Sequence, residues 1–534
     1  MKYPTNFRAV NHGLISGFAF GCLLATNASA QVSVEWTEFQ RGVSIGVDRE
    51  DNVYTLDYEM QLGKEMVLTK HDSEGNLLWS TFFDQTDFTK WERAAWLAVD
   101  SQGDVIVCGT LMSGFSNPVE AASIAMKFDS AGNFQWRHVG GLSSFDGSRA
   151  VRCVVDRDDN AYVLGLGNSG FGLVTKVEKF APDGTSLWSY FNVAGIGAPQ
   201  YLKLTPDDQL LITARGVFGA INGYAKIDLD GNEQWSLAGV TSFTAGDCAG
   251  DVFGNTYVVH AESGVPNPGT VVRKLDPSGA LIWQNAYLSA GFRVEVGPDD
   301  QPVVAGFPNQ NTAGAAFFKV DQNGGLVWSN LDADGPLVLL LHAQLLVDAA
   351  GSAYLAAGTL FDMAVCKVDT FGTSQWTGTT AGSFSQAIAL SRASNGVFVV
   401  GGRTAHLLDA LEGEWTELEG ALAGVDGAPR LRGHGRFEQG QTLTLLADHA
   451  APNAFTVHVV GASAANLPIL GGTLVPSLDL YYFATTDAVG RSTFGGAIPF
   501  VVAPGQTVWF QSWFIDMNAV QGWSATNARR VSGV

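Results

Sequence analysis

Four residues in one short stretch, Lys90, Trp91, Arg93 and Trp96, combine two flat aromatic faces with two cations. That combination suits an exposed aromatic patch for a glycan or another partner. They lie in DQTDFTKWERAAW, residues 84–96, which reads as an insertion between two repeating units. The insertion is either an exposed partner-binding patch or a local plug. Gly165, Gly167 and Gly170 match the spacing of a phosphate-cradling loop, but that cradle needs a helix opening at its third glycine. FGLVTKVEKF, which follows, reads as a strand. Asp228, Asp230 and Asn232 begin like a calcium loop and then lack its later glycine and glutamate. Asp-rich turns such as Asp48 to Asn52 and Asp156 to Asn160 leave weak Ca2+ binding open, with solvated turns the simpler reading. His71, His138, His260, His342, His406, His434, His449 and His458 are scattered, without the close pairing of a zinc helix. No GxSxG nucleophile elbow is present. No catalytic, metal or cofactor residue is therefore assigned, which favours a non-enzymatic reading.

The elements that would position such residues repeat along the chain. One unit is a strand, a turn and a Trp-bearing strand: LTKHDSEGNLLW ending at Trp79, then copies ending at Trp136, Trp188, Trp235, Trp283, Trp328 and Trp376. A degenerate copy, HLLDALEGEW, ends at Trp415. A second unit alternates with it, an apolar strand, a D-x-x-G-N turn and another apolar strand, as in CAGDVFGNTYVV from Cys248. Asx side chains bond their own backbone and Gly tolerates positive φ, so each unit is a hairpin. From Ser44 to Gly420 eight such pairs give a period of roughly 47 residues, the length of four short strands with turns.

Four-stranded repeats of this period predict an all-β protein with an eight-bladed β-propeller; a seven-bladed ring with one aberrant unit and a linear solenoid are the alternatives. Trp36 in VEWTEF has the look of one more outer strand, able to pair with the last blade and close the ring. Trp415 would then be either a true final strand or part of a linker. The units resemble the SBBP-type β-propeller repeats of bacterial extracellular proteins over residues 34–420, on the D-x-x-G-N-x-Y and K-x-D-x-x-G-x-x-x-W copies. The resemblance implies a fold and no shared activity.

Eight-bladed dehydrogenases that use pyrroloquinoline quinone (PQQ) also carry an Asp, Gly and Trp repeat. Here the spacing is one residue shorter, and no adjacent Cys-Cys pair exists. The repeated Trp reads as an inter-blade packing ring, and aligned residues such as Asp72, Asp129 and Asp228 as acceptors for turn amides.

The N-terminus reads as a secretory leader over residues 1–30: Lys2 and Arg8, an apolar run from Gly13 to Leu24, and Ala28-Ser29-Ala30 before a cut at Gln31. Its loss takes the formal charge from −21 to −23, through Lys2 and Arg8. The expected product is periplasmic or extracellular, without membrane insertion. So acidic a chain is unsuited to binding nucleic acid, whose phosphates need a basic surface. Its expected partner is a protein or a polysaccharide. The rival reading is an enzyme, a divergent quinoprotein or a glycan-active hydrolase or lyase, with its site at the channel mouth.

The propeller is expected over 31–420 and a small-residue linker over 421–430. Residues 431–534 then hold short apolar strands that predict a β-sandwich. That last segment resembles a C-terminal domain of large secreted proteins of planctomycete-like bacteria, on LRGHGRFEQGQTLTL, PGQTVWFQSWFID and SATNARRVS. Cys108, Cys153, Cys248 and Cys366 lie in apolar runs and read as small buried residues; no pairing follows from their spacing. Any function resting on Trp is expected among Trp91, Trp96, Trp509, Trp513 and Trp523, outside the repeated position.

Overall fold

A computed structural model describes residues 32–533 except 39–41, 49, 59–65, 84–89, 114–119, 141–142, 145–148, 169–172, 193–195, 216–220, 242–245, 262–268, 288–289, 308–314, 334–342, 349–350, 359–361, 382–388, 393–395, 401–403, 410–414, 425–427, 449, 487–489, 518 and 520–521. Among the described residues every regular element is a strand. The chain forms two compact units, Val32–Leu408 and one from Asp409 onward.

The first unit is an eight-bladed propeller, a set of eight antiparallel sheets with four strands in meander order, one of them extended by a two-residue strand. Blade 1 consists of Ser44–Val47, Val53–Tyr58, Met66–His71 and Leu77–Phe83. The first strands of the later blades are Lys90–Val99, Arg149–Val155, Ala198–Leu204, Asp247–Gly250, Ala290–Val296, Gln344–Val347 and Ala389–Arg392. Neighbouring blades touch through their first or second strands all the way round, and the first strand of blade 8 lies against that of blade 1, so the ring is closed.

Blade 8 takes its outer strand from the other end of the unit. Val32–Glu38, carrying Trp36, pairs with Thr404–Asp409 and fills the outer place. This pairing covers an edge that would otherwise expose unpaired backbone groups. Trp415 is not in a blade: Trp415–Leu418 pairs with Ala528–Ser532 in the second unit.

The repeated residues bind blade to blade. In the outer turns an Asp oxygen accepts two amides, as Asp129 Oδ1 does from Ala131 and Asn133 at 3.0 and 2.8 Å. In the inner turns the buried carboxylate is shared more widely. Asp48 Oδ2 accepts from Asn52 Nδ2 at 2.9 Å and from the Tyr54 hydroxyl at 3.0 Å, and lies 3.2 Å from Lys70 Nζ. Trp indoles then reach the next blade. Trp79, Trp136, Trp188, Trp283 and Trp328 donate Nε1 to the carbonyls of Ser130, Pro182, Leu229, Gln322 and Thr370 at 2.9–3.1 Å. The expected role of the repeated ring as inter-blade packing is what these contacts show.

In the second unit a six-stranded sheet faces a three-stranded one across an apolar core, a β-sandwich. Leu431, Leu443 and Leu445 from the small sheet meet Val460, Phe510, Phe514 and Val531 from the large one. Trp415 joins this core and donates to the Gly435 carbonyl at 2.9 Å. The stretch expected as a linker holds Leu422, which pairs with Ala525. Trp513 is buried with Trp523 against it, so both rings serve packing.

Candidate ligand-binding channel

The inner strands carry the chain's densest chemistry. Each begins a hairpin whose turn opens at an equivalent residue: Asp100, Asp156, Thr205, Asp251, Gly297 and Asp348, each with its amide on the carbonyl four residues on. Counting back four residues gives Trp96, Arg152, Tyr201, Asp247, Arg293 and Gln344. All six line one cavity of about 480 Å³, ringed by the first strands of successive blades. Most other positions on these strands are apolar, so the six stand out by type.

Four of these strands share a defect that aims the residue. The pairing register slips between Ala94 and Trp96, Ala150 and Arg152, Pro199 and Tyr201, and Gly291 and Arg293. Such a bulge inserts one unpaired residue and re-aims the side chain after it. The bulge also brings backbone close to the neighbouring strand. A Cβ at Gly109 or Gly165 would lie 2.2 Å from the carbonyl oxygen of Arg93 or Arg149, so both positions need glycine.

The four re-aimed side chains stack. The Arg152 guanidinium carbon lies 3.4 Å from the Trp96 ring centre and 4.8 Å from that of Tyr201. Arg293 lies 4.5 Å from the same Tyr201 ring and donates to its hydroxyl. Arg293 is anchored by its Nε to the Ala343 carbonyl at 2.6 Å and by a terminal nitrogen to that of Phe292 at 2.9 Å. This cation–π stack links blades 2, 3, 4 and 6.

A second group sits beside it. Lys203 Nζ lies 2.9 Å from Asp247 Oδ2, 2.7 Å from Glu295 Oε1 and 2.9 Å from the Val294 carbonyl. Burial opposes the Lys203 charge, but Asp247 and Glu295 outweigh it and hold its pKa above the ordinary value. Burial pushes Glu295 up, and the carboxylate of Asp247 adds to this against the pull of Lys203. Burial lowers Arg152 from its ordinary value, with a further push from Arg293; a guanidinium stays charged regardless.

Of the sequence-singled residues, Arg93 and Trp96 line this cavity. Lys90 and Trp91 belong to the same strand, Lys90–Val99, but their side chains lie outside the described residues. Residues 90–96 are thus no inserted loop: the inner strand of blade 2 runs ten residues and includes them. Arg149, Arg152, Tyr201, Lys203, Asp247, Arg293 and Glu295 escaped the sequence reading. All but Arg149 stand four or two places before the turn, a polar or aromatic residue in an otherwise apolar strand, and that placement was their one signal.

The other look-alikes fall into structural places. Gly165 and Gly167 lie in strand Ala161–Asn168, and strand Leu173–Phe180 follows, where a phosphate cradle would need a helix. Asp228 is occupied by protein donors. Its Oδ1 accepts from Asp230 and Asn232 amides at 3.0 and 2.8 Å, and its Oδ2 from the Asn232 and Gln234 side chains at 2.9 and 3.3 Å. Among the described residues no three His, Cys, Asp or Glu side chains gather as a metal site. Among the described residues Cys108, Cys153, Cys248 and Cys366 are buried and joined by no disulfide.

No protein-family model matches the chain, and no curated protein does. Solved structures similar to it include the β-propeller domain of the Trilobed protease from Pyrococcus furiosus, with 10% identity, TM-score 0.36, and 60% of this chain and 95% of that one covered. A protein of unknown function from Bacteroides caccae gives 13% identity, TM-score 0.33, and 60% and 91% coverage. Porphyromonas gingivalis dipeptidyl peptidase 4 gives 10% identity, TM-score 0.38, and 78% and 68% coverage. The eight-bladed fold rests on this chain's own strand pairing.

Proposed function

We propose that this is an exported, non-catalytic binding protein that holds a polysaccharide partner at the mouth of its propeller channel. The observation that supports it best is the set of equivalent bulges that aim Trp96, Arg152, Tyr201 and Arg293 into one cavity. Aromatic faces with fixed donors around a recessed volume suit a sugar or a chain end better than the flat surface of a folded protein. Export rests on the leader-like residues 1–30. Membership of the SBBP-type repeats and the planctomycete-like C-terminal domain is part of the same proposal.

A glycan array probed with the purified protein tests the binding reading; retention of no saccharide, with capture of a protein partner instead, would overturn it. Export is tested by N-terminal sequencing of material recovered outside the cytoplasm, with Gln31 as the expected first residue.

One observation favours an enzyme instead. Asp247 and Glu295 share the Lys203 ammonium, and Glu295 is held toward its protonated form, the arrangement a glycan-active hydrolase could use as acid and carboxylate. Release of reducing sugar by the wild type that Glu295→Gln abolishes would establish that alternative.

A further inference from the structure

The channel cavity has a charge opposite to that of the chain. The protein carries a formal charge of −21 with only 31 Lys and Arg. Yet Arg93, Arg149, Arg152, Lys203 and Arg293 all line this one cavity, against two acids, Asp247 and Glu295. Both acids are committed to Lys203. Arg293 is committed to backbone carbonyls and to Tyr201.

Arg152 differs from these. Its guanidinium is flanked by the Trp96 and Tyr201 rings, and among the described residues it has neither a hydrogen bond nor an ion pair. Rings on a guanidinium plane leave its edge, which carries the N–H donors, free. Arg93 and Arg149 lie on the same side of the ring, in blades 2 and 3, exposed and likewise without an acidic partner among the described residues. A planar guanidinium edge with two further cations nearby is a receptor for an oxyanion.

We infer that this cavity binds a small organic oxyanion, a carboxylate or sulfate carried on a sugar ring, with Arg152 as its principal contact and Arg93 and Arg149 as supporting cations. The size agrees, since about 480 Å³ lies within the ordinary range of small-ligand pockets. Crowding among the cations supports it too, because an anion at the Arg152 edge offsets the push of Arg293 on Arg152 across the Tyr201 ring. The inference deepens the polysaccharide reading and rests on it, by naming the acidic sugar class.

The test is calorimetry and thermal melting of the whole protein with glucuronate, glucosamine 6-sulfate, inorganic sulfate and neutral glucose. The expected result is binding of the acidic sugars, weakening as salt rises, with little or none for glucose. Preference between glucuronate and glucosamine 6-sulfate identifies the carboxylate or the sulfate source, and either supports the inference. Arg152→Gln is expected to weaken binding at least ~10-fold, the usual scale for losing a charged hydrogen bond. Arg152→Lys restores only part of it, because the charge returns without the fork.

Should Arg152→Gln fail to fold, the double variant Arg93→Gln, Arg149→Gln decides, as both side chains are exposed; a several-fold loss at unchanged melting temperature is expected. Glucose binding as tightly as glucuronate, absence of any anion binding, or full affinity in the double variant together with Arg152→Lys would overturn the inference. Turnover of an acidic oligosaccharide that glucuronate inhibits competitively would overturn the non-catalytic reading and leave the oxyanion site standing.

Discussion

The indole of Trp136 covers Gly184 of the following blade and donates its Nε1 to the carbonyl of Pro182, two residues earlier in the same turn, at 3.0 Å. Gly184 has φ of +86°, and a Cβ there would lie 2.5 Å from Trp136 Cγ. Gly184→Ala is therefore expected to cost about 1–3 kcal/mol through backbone strain and collision with the ring. Trp136→Ala is expected to cost about 2 kcal/mol, less than a fully buried ring would. The double variant should lose less than the two singles together, because removing the indole removes the ring atoms the new methyl would strike; urea unfolding of the three variants checks this.

Lys203 holds two carboxylates apart in the channel. Lys203→Met removes the ammonium that Asp247 and Glu295 share, which is expected to destabilise the propeller by about 2 kcal/mol at neutral pH, discounted for the partial exposure of the site. The deficit should shrink as pH falls and a carboxyl takes up a proton. Melting temperatures of wild type and variant between pH 4 and 8 measure it.

Two buried histidines make acid destabilising. Burial holds His458, between Ser512 and Ser492, at a pKa of about 4, and burial with a smaller push from Arg273 does the same to His260. Both bind a proton near 6.5 once unfolded and only near 4 when folded. Their contribution is thus fully present above about 6.5 and is lost as pH falls toward 4. His458→Asn should flatten this slope for the C-terminal unit alone and His260→Asn for the propeller alone, as read from denaturant midpoints at several pH values.

The thiols should be silent until the fold opens. Burial pushes Cys248 up to about 12 and Cys153 well above the ordinary range. Iodoacetamide at pH 8 is expected to add nothing to native Cys108, Cys153, Cys248 and Cys366, and one group to each after denaturation without reductant. Intact mass counts the additions.

The architecture was readable because its signal repeats. One Asp turn can be chance; the same turn followed by Trp at Trp79, Trp136, Trp188 and onward cannot, and the ring closure through Trp36 followed from counting outer strands. Trp415 misled because HLLDALEGEW copies the spacing of the motif while its ring packs in a different unit. The channel was harder to read. Arg152 and Arg293 sit in strands that scan as apolar, and what brings them together with Tyr201 is a one-residue slip in pairing that no local composition announces. Three of the contacts that matter most, Arg152 with Trp96, Arg293 with Tyr201, and Lys203 with Glu295, join separate repeats. A reading made repeat by repeat finds the blades and misses what lies between them.

The pairing of Val32–Glu38 with Thr404–Asp409 sets an order on how this molecule is made. The segment that completes blade 8 leaves the ribosome before any other strand of the ring, and its partner leaves last. The strands of the other seven blades all precede residue 389, so the first-made strand has no partner until nearly the entire ring has been made. Completion is thus a checkpoint: a chain stopped short of Thr404 leaves its first strand without the partner that seats it in the outer place of blade 8.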